Sequence, residues 1–465
     1  MDRVYAAIDM KSFYASVECV ARKLDPLKAR LLVADESRSD QTICLAVSPA
    51  LKAIGVPSRP RLFEAKAAIR RYEAATRSKV NYLVAVPRMA EYERVSAQIY
   101  GVFLRFAAPE DIHVYSIDES FVDCTPYLRF YRKEAERQGL HPARVMAMTM
   151  IRAVLKETGI TATCGLGTNL FLAKVAMDIV AKRRPADADG VRIAELNEDS
   201  YKFLLWDHRP LTDFWGIGPG KARTLARAML FTMGDVAART QVDEEWFYRT
   251  FGIDGEILID HAWGMEPVTM RDIKASRPAR KSLSSGQVLP RAYRFEEARL
   301  VLAEMVEGLC DDLFLKGLLA RTFSWWVSYD FRSLEEVPGY AGPVVPDFYG
   351  RLHPAHSHGI ARTRVETNSV MTVREAILAS FDARTDHRLL FRRLGVCAEG
   401  VDENPSGQQL DLFTDERRLD RERRLRCAMS EVRHKYGAGA LFKGMNLLEG
   451  ATALERNQQI GGHRA

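Results

Sequence analysis

The residues best suited to chemistry are three acids that stand at or near the ends of predicted strands. Asp118 and Glu119 are adjacent within the alternating run 114–123, and Asp9 follows the apolar run 4–8. Because neighbouring side chains on a strand point to opposite faces, Asp118 and Glu119 can reach one ion only where the strand bends or ends. Three hard oxygen donors suit Mg²⁺ and predict phosphoryl or nucleotidyl transfer. An Asp-Glu pair alone also fits a solvated strand edge or a turn.

A sheet must hold these acids, and residues 1–180 alternate β-prone runs with helical patterns, as an α+β or α/β core would. The predicted elements are strands at 43–47 and 82–86 and helices at 92–106 and 145–158. Residues 183–190 are polar and contain Pro and Gly, which predicts a turn and a change of unit. Residues 199–272 lack strand alternation and predict a small helical domain.

The centre of that helical domain is a glycine-rich turn. Gly216, Gly218 and Gly220 allow a tight hairpin whose backbone N–H groups point at an anion, at the start of the next helix. Lys221 and Arg223 follow at once, and no long strand precedes as a dinucleotide-binding fold would need. The pattern favours binding of a DNA phosphate, with an ordinary glycine-rich loop as the alternative.

The rest of the chain predicts a linker, a second α+β unit and a tail. Residues 273–285 are rich in Lys, Arg, Ser and Pro, which is typical of an exposed basic linker. The predicted elements beyond it are helices at 296–319 and 373–381 and strands at 322–329, 360–365 and 389–398. A charged helix is predicted from residue 416 to about residue 436.

A short apolar cluster in the polar segment after residue 400 cannot bury itself. It consists of Gln409, Leu410, Leu412 and Phe413. We expect it to bury against a partner protein, with Leu412 and Phe413 as anchors. The alternative is the first turn of a tail helix.

Composition excludes some classes of protein. A net charge of +6 over 465 residues permits nucleic-acid binding without requiring it. The seven cysteines form no Cys-x-x-Cys pair, so we expect neither a zinc site nor a disulfide framework, and a reduced, cytosolic setting. No apolar run reaches membrane-spanning length and the start lacks a leader pattern, so we expect neither export nor insertion.

Taken together, these residues resemble the Y-family, or translesion, DNA polymerases of the UmuC/DinB type. The motifs that carry the resemblance occur in the family's order, at Asp9 with residues 13–18, at 116–119, at 165–176, at 216–218 and at 409–413. The last of them looks like the bacterial sliding-clamp-binding peptide. Residues 46–49 and 461–463 look most similar to the UV-damage-repair branch of Gram-positive bacteria and their mobile elements.

The resemblance implies an α+β, right-hand polymerase architecture. The implied domains are a palm at 1–10 and 81–180, small fingers at 11–80, a helical thumb with a helix-hairpin-helix at 181–272, the basic linker at 273–285, an α+β little finger at 286–400, and a tail with the clamp-binding peptide at 401–465.

The resemblance also implies the chemistry of the acids. Two Mg²⁺ ions would be bridged by Asp9 and Asp118, with Glu119 at the primer end and the Met10 carbonyl at the nucleotide end. The residues implied to contact the nucleotide are Phe13, Tyr14, Ser48, Lys52 and Lys174. Tyr14 would be the steric gate against a ribose 2′-OH, and Lys174 would reach the triphosphate. Where many members have a Tyr and an Arg, this chain has Pro49 and Lys52, so its grip on the triphosphate should differ.

The implied function is error-prone translesion synthesis by a DNA-directed DNA polymerase in DNA damage repair and the SOS response. The expected partners are primer-template DNA, deoxynucleoside triphosphates, the bacterial sliding clamp through residues 409–413, and accessory repair factors, with no membrane. We expect a cytoplasmic, nucleoid-associated protein. A catalytically silent, clamp-tethered accessory protein of the same fold is the alternative, which the intact acids argue against. A nucleotide cyclase would explain only the acids.

Overall fold

The computed structural model describes residues 3–276, 282–402 and 416–465. The chain forms two compact units, of which the first ends at Ser276 and the second extends from Arg277 to Arg464. None of the helices in the described ranges combines the length and apolar character needed to cross a bilayer. The mixture of helices and sheets confirms the predicted α+β class.

The first unit is built around one five-stranded sheet. The strands of the whole unit are β1 (Tyr5–Met10), β2 (Leu31–Val33), β3 (Ala46–Val47), β4 (Leu83–Ala85), β5 (Ile112–Val114), β6 (Glu119–Asp123), β7 (Ala162–Gly167) and β8 (Arg192–Leu196). The main sheet has the order β5-β6-β1-β7-β8, with β1 antiparallel to both of its neighbours. A small separate sheet has the order β3-β2-β4. The central position of β1 follows from its apolar sequence, which is buried on both faces except at Asp9.

The helices of this unit are α1 (Phe13–Ala21), α2 (Pro49–Lys52), α3 (Leu62–Thr76), α4 (Met89–Phe103), α5 (Leu128–Gln138), α6 (Pro142–Thr158), α7 (Leu170–Val175), α8 (Glu198–Leu205), α9 (Pro219–Arg227), α10 (Met233–Thr240), α11 (Glu245–Phe251), α12 (Ile253–Trp263) and α13 (Met270–Ala275). A π-helical turn, Ala176–Val180, continues α7. Helices α8 to α13 and the core around Tyr201 and Phe247 form the predicted helical region.

Two glycines in β7 bring α7 unusually close to the sheet. A Cβ atom on Gly165 would lie 2.1 Å from the carbonyl oxygen of Ala173, and one on Gly167 would lie 2.2 Å from the backbone nitrogen of Ala173. Only glycine fits at these two positions, because the helix backbone occupies the space of a side chain. This contact fixes the start of α7, and the residues that follow it, against the central strands.

Two strands of this unit pair across the predicted domain boundaries. Strand β4 pairs in parallel with β2, so Leu83–Ala85 belongs to the small sheet of the predicted fingers, which were placed at 11–80. Strand β8 pairs in parallel with β7, so Arg192–Leu196 is an edge of the main sheet and not part of the helical region placed at 181–272. Both strands are short, and their assignment depends on pairing partners distant in sequence.

The second unit has its own four-stranded sheet. The strands of the whole unit are β9 (Ser282–Tyr293), β10 (Ala320–Tyr329), β11 (Val344–Pro346), β12 (Leu352–Pro354), β13 (Ser357–Thr367), β14 (Phe391–Glu399), β15 (Gln459–Ile460) and β16 (His463–Arg464). Its helices are α14 (Phe295–Leu315), α15 (Ser333–Glu336), α16 (Val370–Arg384), α17 (Glu416–Tyr436) and α18 (Ala453–Arg456). The main sheet has the order β13-β10-β14-β9, and α14 and α16 pack on it over a core that includes Trp325, Phe381 and Phe391.

The predicted basic linker at 273–285 is too long at both ends. Helix α13 extends to Ala275, and β9 begins at Ser282, where Ser282–Ser285 pair with residues 396–399 of β14. Serine and glycine have low β-propensity, so this end of β9 carries little strand signal of its own. Its pairing with β14 is a tertiary effect that overrides the local sequence.

The C-terminal residues from Glu416 onward pack on the second unit. Helix α17 has the predicted bounds. The carboxylate of Glu422 accepts hydrogen bonds from Val370 N–H and Ser369 Oγ, at the start of α16. The buried guanidinium of Arg426 donates to the carbonyls of Cys310 and Asn368. The tail is therefore part of the folded second unit.

Candidate active site

The three predicted acids lie at the same end of the paired strands β1 and β6 in the first unit's main sheet. Asp9 of β1 lies directly opposite Glu119, the first residue of β6, and Met10 N–H donates to the carbonyl of Asp118 at 2.9 Å. Directly opposite residues of antiparallel strands point to the same face, so the carboxylates of Asp9 and Glu119 share a face. Asp118 lies in the turn just before β6, where Ser116 Oγ donates to its Oδ1 at 2.7 Å. The two adjacent acids therefore lie at the end of a strand, which is where both could reach one ion.

Two lysines hold these acids through a fourth acid. Lys174 Nζ lies 2.8 Å from Glu119 Oε2 and 2.9 Å from Asp178 Oδ2. Lys182 Nζ lies 2.8 Å from Asp178 Oδ1 and 3.2 Å from Asp9 Oδ2. The prediction that Lys174 lies at the site agrees with this placement, while Asp178 and Lys182 were missed. Their spacing of four residues is only a weak signal, because the same spacing is common on solvated helices.

The π-helical turn Ala176–Val180 carries Asp178. Such turns are rare and are frequent at functional sites, because the extra residue in the turn re-aims a side chain. Here the carboxylate of Asp178 contacts both lysines. Lys174 and Lys182 are thereby aligned along the acids of β1 and β6.

Burial dominates the electrostatics of the site. It raises the pKa of Glu119 to about 6, although Lys174 acts in the opposite direction. Burial also raises the pKa of Asp9, against the opposing charge of Lys182. Burial would raise the pKa of Asp178 too, but Lys182 and Lys174 together hold it below its ordinary value. Ionisation of Glu119 and Asp9 is therefore unfavourable in this buried site, and a bound cation would stabilise their charged forms.

The site fits divalent cations by its donor atoms. Oε1 of Glu119 is buried without a hydrogen-bond partner, and a buried acceptor in that state is costly. The free oxygens of Asp9 and Asp118 are hard donors of the kind that Mg²⁺ takes. Within the described ranges no group of three or more His, Cys, Asp or Glu side chains is already gathered around one point, and the lysines occupy the intervening space.

Two further predicted nucleotide contacts, Tyr14 and Lys52, lie near the acids, and Phe13 lies next to Tyr14. Phe13 is only 2% exposed, and Tyr14 stacks on Tyr92 with ring centroids 4.6 Å apart. Burial raises the pKa of Tyr14, and the charge of Asp118 acts in the same direction, which places the ring beside the acids. Lys52 Nζ donates to Ser12 Oγ at 2.9 Å.

Ser48 does not fit its predicted contact with a nucleotide. Its side chain is fully buried, and its Oγ accepts a hydrogen bond from the backbone N–H of Leu31 at 3.0 Å. The same residue is the N-cap of α2, and its hydrogen bond with Leu31 joins the start of that helix to the small sheet. This role explains the residue without a ligand.

The predicted phosphate hairpin forms an exposed turn. Gly216 has φ +82°, and Gly218 is the N-cap of α9. No atom lies within 4 Å of where a Cβ on Gly216, Gly218 or Gly220 would be, so the backbone there is open to a large ligand. Lys221 Nζ is paired with Asp254 at 2.8 Å, and Arg223 is exposed. The predicted clamp-binding residues 409–413 lie outside the described residues.

Comparisons with known proteins assign the family. The sequence profile of the impB/mucB/samB family matches residues 8–178, and that of the impB/mucB/samB family C-terminal domain matches residues 280–412. The chain belongs to the Y family of DNA polymerases. The two matches in this Y-family chain together cover more than half of its length, and they include all the acids of the site.

Full-length relatives and a solved structure agree with this assignment. The Y-family chain is 29% identical to the UV-damage repair protein UvrX of Bacillus subtilis, over 98% of this chain and 97% of that protein. It is 28% identical to DNA polymerase IV 2 of Halalkalibacterium halodurans, over all of both chains. A Y-family DNA polymerase chimera of Dbh and Dpo4 shares the fold with a TM-score of 0.58 at 17% identity, covering 86% of this chain and 100% of the chimera. The family resemblance of the sequence is confirmed.

Proposed function

We propose that this Y-family polymerase performs error-prone translesion synthesis in DNA damage repair and the SOS response, by adding nucleotides to a primer 3′-hydroxyl opposite damaged bases. Family membership supports template-directed DNA synthesis, and the relative named for UV-damage repair supports the damage context. The observation that carries the chemistry is the pair Asp9 and Glu119, face to face at the strand ends, with Asp118 beside them and Glu119 Oε1 left without a partner.

We assign the acids to metal binding. Asp9, Asp118 and Glu119, with the Met10 carbonyl, would hold two Mg²⁺. When bound, the two ions activate the attacking hydroxyl and neutralise charge on the pyrophosphate that leaves. The protein supplies a fixed backbone for this purpose, because Asp9 and Glu119 are held in register by paired strands and Met10 N–H is bonded to the carbonyl of Asp118.

The nucleotide contacts follow from the same frame. Tyr14, held by its stacking on Tyr92, would crowd a ribose 2′-OH and so select deoxyribonucleotides. Lys52 and Lys174 would neutralise the triphosphate, and Phe13 would support the ring of Tyr14 from the core.

The remaining roles concern DNA and partner proteins. The exposed turn at Gly216, Gly218 and Gly220, with Lys221 and Arg223, would hold a DNA phosphate at the start of α9. The first unit would supply palm, fingers and thumb, and the second the little finger. Residues 409–413 would bind the bacterial sliding clamp, and accessory repair factors would be further partners. We further propose that the protein acts in the cytoplasm at the nucleoid.

The function is tested by primer extension on undamaged and damaged templates with Mg²⁺. The native protein should extend both, and a variant with Asp118→Ala and Glu119→Ala should lose at least about 10³-fold in rate, since the metal ions contribute several kcal/mol to stabilising the transition state. A variant with Asp207→Ala and Glu375→Ala, two exposed acids, removes the same charge elsewhere and should extend normally.

The test separates the polymerase from the silent accessory protein. Absence of extension by the native protein, with binding to DNA retained, would favour the accessory role and reject the assignment of the acids. A second arm addresses the clamp: Leu412→Ala with Phe413→Ala should reduce extension on clamp-loaded DNA and leave extension on a bare primer unchanged. Equal loss on both templates would remove the clamp from the proposal.

A further inference from the structure

Tyr115 and Trp215 join the turn that carries the acids to the glycine-rich hairpin. Nε1 of Trp215 donates a hydrogen bond to the hydroxyl of Tyr115 at 3.0 Å, and the two rings meet edge to face with centroids 6.1 Å apart. The two residues lie 100 positions apart in the sequence, so the contact is purely tertiary. Tyr115 is 45% exposed, which means that burial alone does not explain its position. The pair therefore connects the metal-binding turn with the phosphate-binding hairpin of the proposed function.

At one end of this contact, Tyr115 begins the turn that holds Asp118 and Glu119. The N–H groups of Tyr115 and Ser116 both donate to the carbonyl of Glu119, at 3.0 and 3.1 Å. The ring of Tyr115 also packs edge to face on Phe121 of β6, with centroids 5.8 Å apart. Because these contacts close the turn on itself, a displacement of the Tyr115 ring would move the acids with it.

At the other end, Trp215 directly precedes the first glycine of the hairpin. Its neighbours Phe214 and Ile217 are buried in the helical core, so the base of the hairpin is anchored there. The indole of Trp215 also lies nearly parallel to the ring of His261 on α12, with centroids 6.0 Å apart. His261 in turn stacks on Phe171 of α7 at 3.9 Å. The indole is thus supported by two helices as well as by Tyr115.

The two connected segments would contact the same DNA duplex at different points. The hairpin would hold a phosphate, whereas the acids would act at the primer 3′-hydroxyl. Both points belong to one stiff duplex, so the separation of the two protein segments must match it. A misplacement of about 1 Å at a reacting group can cost roughly 100-fold in rate. A direct contact between the turn and the hairpin fixes that separation with few intervening atoms.

We propose that Tyr115 and Trp215 form a spacer bridge, which fixes the distance between the phosphate-binding hairpin and the acids and so positions the primer 3′-hydroxyl for attack. Both are positioning residues, since they act through the turn and the hairpin. The inference rests on the proposed function and assigns the contact that links its two sites. Breaking the bridge should slow nucleotide addition and leave DNA affinity almost unchanged, because the hairpin and the acids themselves stay intact.

The first experiment measures single-turnover addition of one nucleotide by the full-length protein, with the affinity for primer-template DNA titrated separately. Tyr115→Phe removes the accepting hydroxyl, and Trp215→Phe removes the donating N–H. Each should slow addition at saturating DNA and nucleotide roughly fivefold, with DNA affinity within about twofold of native. The double variant should be no slower than the slower single variant, because both substitutions break one contact.

Two further variants grade and control this result. Tyr115→Ala removes the ring contacts as well as the hydroxyl and should be slower than Tyr115→Phe. Tyr248→Phe removes an exposed tyrosine hydroxyl from α11 and should match the native protein in rate and affinity. Circular dichroism and thermal unfolding check that each variant is folded.

The second experiment observes the primer end without catalytic turnover. A primer carries 2-aminopurine as its 3′-terminal base, and its fluorescence anisotropy is measured in the complex with the full-length protein and template, with no nucleotide present. Tyr115→Phe and Trp215→Phe should each lower the anisotropy of this base, because its position is less restricted. Tyr248→Phe should give the native value.

The bridge is overturned if the losses in the double variant multiply, or if DNA affinity falls as much as the rate does. Residues with a purely structural role would give one of these two results. If the bridge variants free the primer end but the native protein never extends a primer, the bridge stands and the polymerase function falls. If the native protein extends primers and the variants change neither the rate nor the anisotropy, the polymerase function stands and the bridge falls.

Discussion

The buried acids of this protein are of two opposite kinds. Glu18 on α1 is fully buried, and its two oxygens accept hydrogen bonds from Arg88, Arg22 and Tyr92. Burial would raise the pKa of Glu18, but these donors hold it below its ordinary value. Glu119 is nearly as buried, yet one oxygen has no partner and its pKa is raised to about 6.

A third acid, Glu304 on α14, resembles Glu18 and not Glu119. Its carboxylate accepts from Asn446 Nδ2 at 2.8 Å, from Thr452 N–H at 2.8 Å and from Ala453 N–H at 3.2 Å. An acid with complete partners stabilises the fold, whereas an acid with missing partners is held by the fold for another use. Of these three acids, only Glu119 has a buried oxygen without a hydrogen-bond partner, which supports its proposed role as a metal ligand.

The largest test of this comparison is a matched pair of substitutions. Glu18→Gln should lower the free energy of unfolding of the first unit by about 3 kcal/mol, because a buried, paired charge is lost and the amide offers its donors one acceptor oxygen in place of two. Glu119→Gln should leave that free energy unchanged or raise it. Hydrogen exchange of residues 13–21 and 89–103 measures the first effect within the full chain. Equal destabilisation by both substitutions would contradict the distinction.

A smaller effect is expected at Glu304. Glu304→Ala leaves Thr452 N–H, Ala453 N–H and Asn446 without their acceptor, and should destabilise the second unit by about 2 kcal/mol. Faster hydrogen exchange of residues 444–456 is the expected readout. Glu375→Ala, at an exposed position of α16, is the control. Unchanged exchange in the tail would mean that these bonds do not hold it.

The smallest test is a difference in pH dependence, measured with a chelator present. Glu119 has a folded pKa of about 6, above its ordinary 4.5, because of burial, with Lys174, Asp178 and Asp9 facing it. The folded state then binds a proton more readily, so native stability falls as the pH rises from about 4.5 through 6. Relative to Glu119→Gln, the native protein should lose on the order of 1–2 kcal/mol across that window.

Glu18 should give the opposite slope. Its lowered pKa means that its stabilising charge is present above its ordinary pKa of 4.5 and is lost as the pH falls through the lower, folded pKa. The difference between native and Glu18→Gln should therefore shrink in acid. Urea unfolding at a series of pH values measures both differences, and slopes of the same sign would reject the contrast.

The sequence was most informative where the signal is local. The charged helix Glu416–Tyr436 and the convergence of Asp9 with Glu119 follow from periodicity and from strand ends. Asp178 and Lys182 were missed because an acid and a lysine at helical spacing are commonplace on solvated helices, and only the π-helical turn and the close packing of α7 on β7 direct them to the acids.

Pairing between distant segments was the other source of error. The first residues of β9 read as linker because serine and glycine carry no strand signal, and only β14 makes them a strand. Strands β4 and β8 pair across the predicted domain boundaries for the same reason, since each is placed by a parallel partner distant in sequence. Ser48 has a polar side chain of the kind that contacts a nucleotide. Its Oγ instead accepts a hydrogen bond from the N–H of Leu31, and this contact between residues 17 positions apart has no signal in the local sequence.

The anchoring of the tail has a mechanical consequence for the segment that contains residues 409–413. On one side, Asp402 is hydrogen-bonded to Leu319 through both backbone groups. On the other, α17 is fixed by Glu422 at the start of α16 and by Arg426. A partner that grips the segment would thus transmit force to the second unit through two chain connections. Such a double attachment limits how far the bound partner and this unit can separate or rotate, which a single free end would not do.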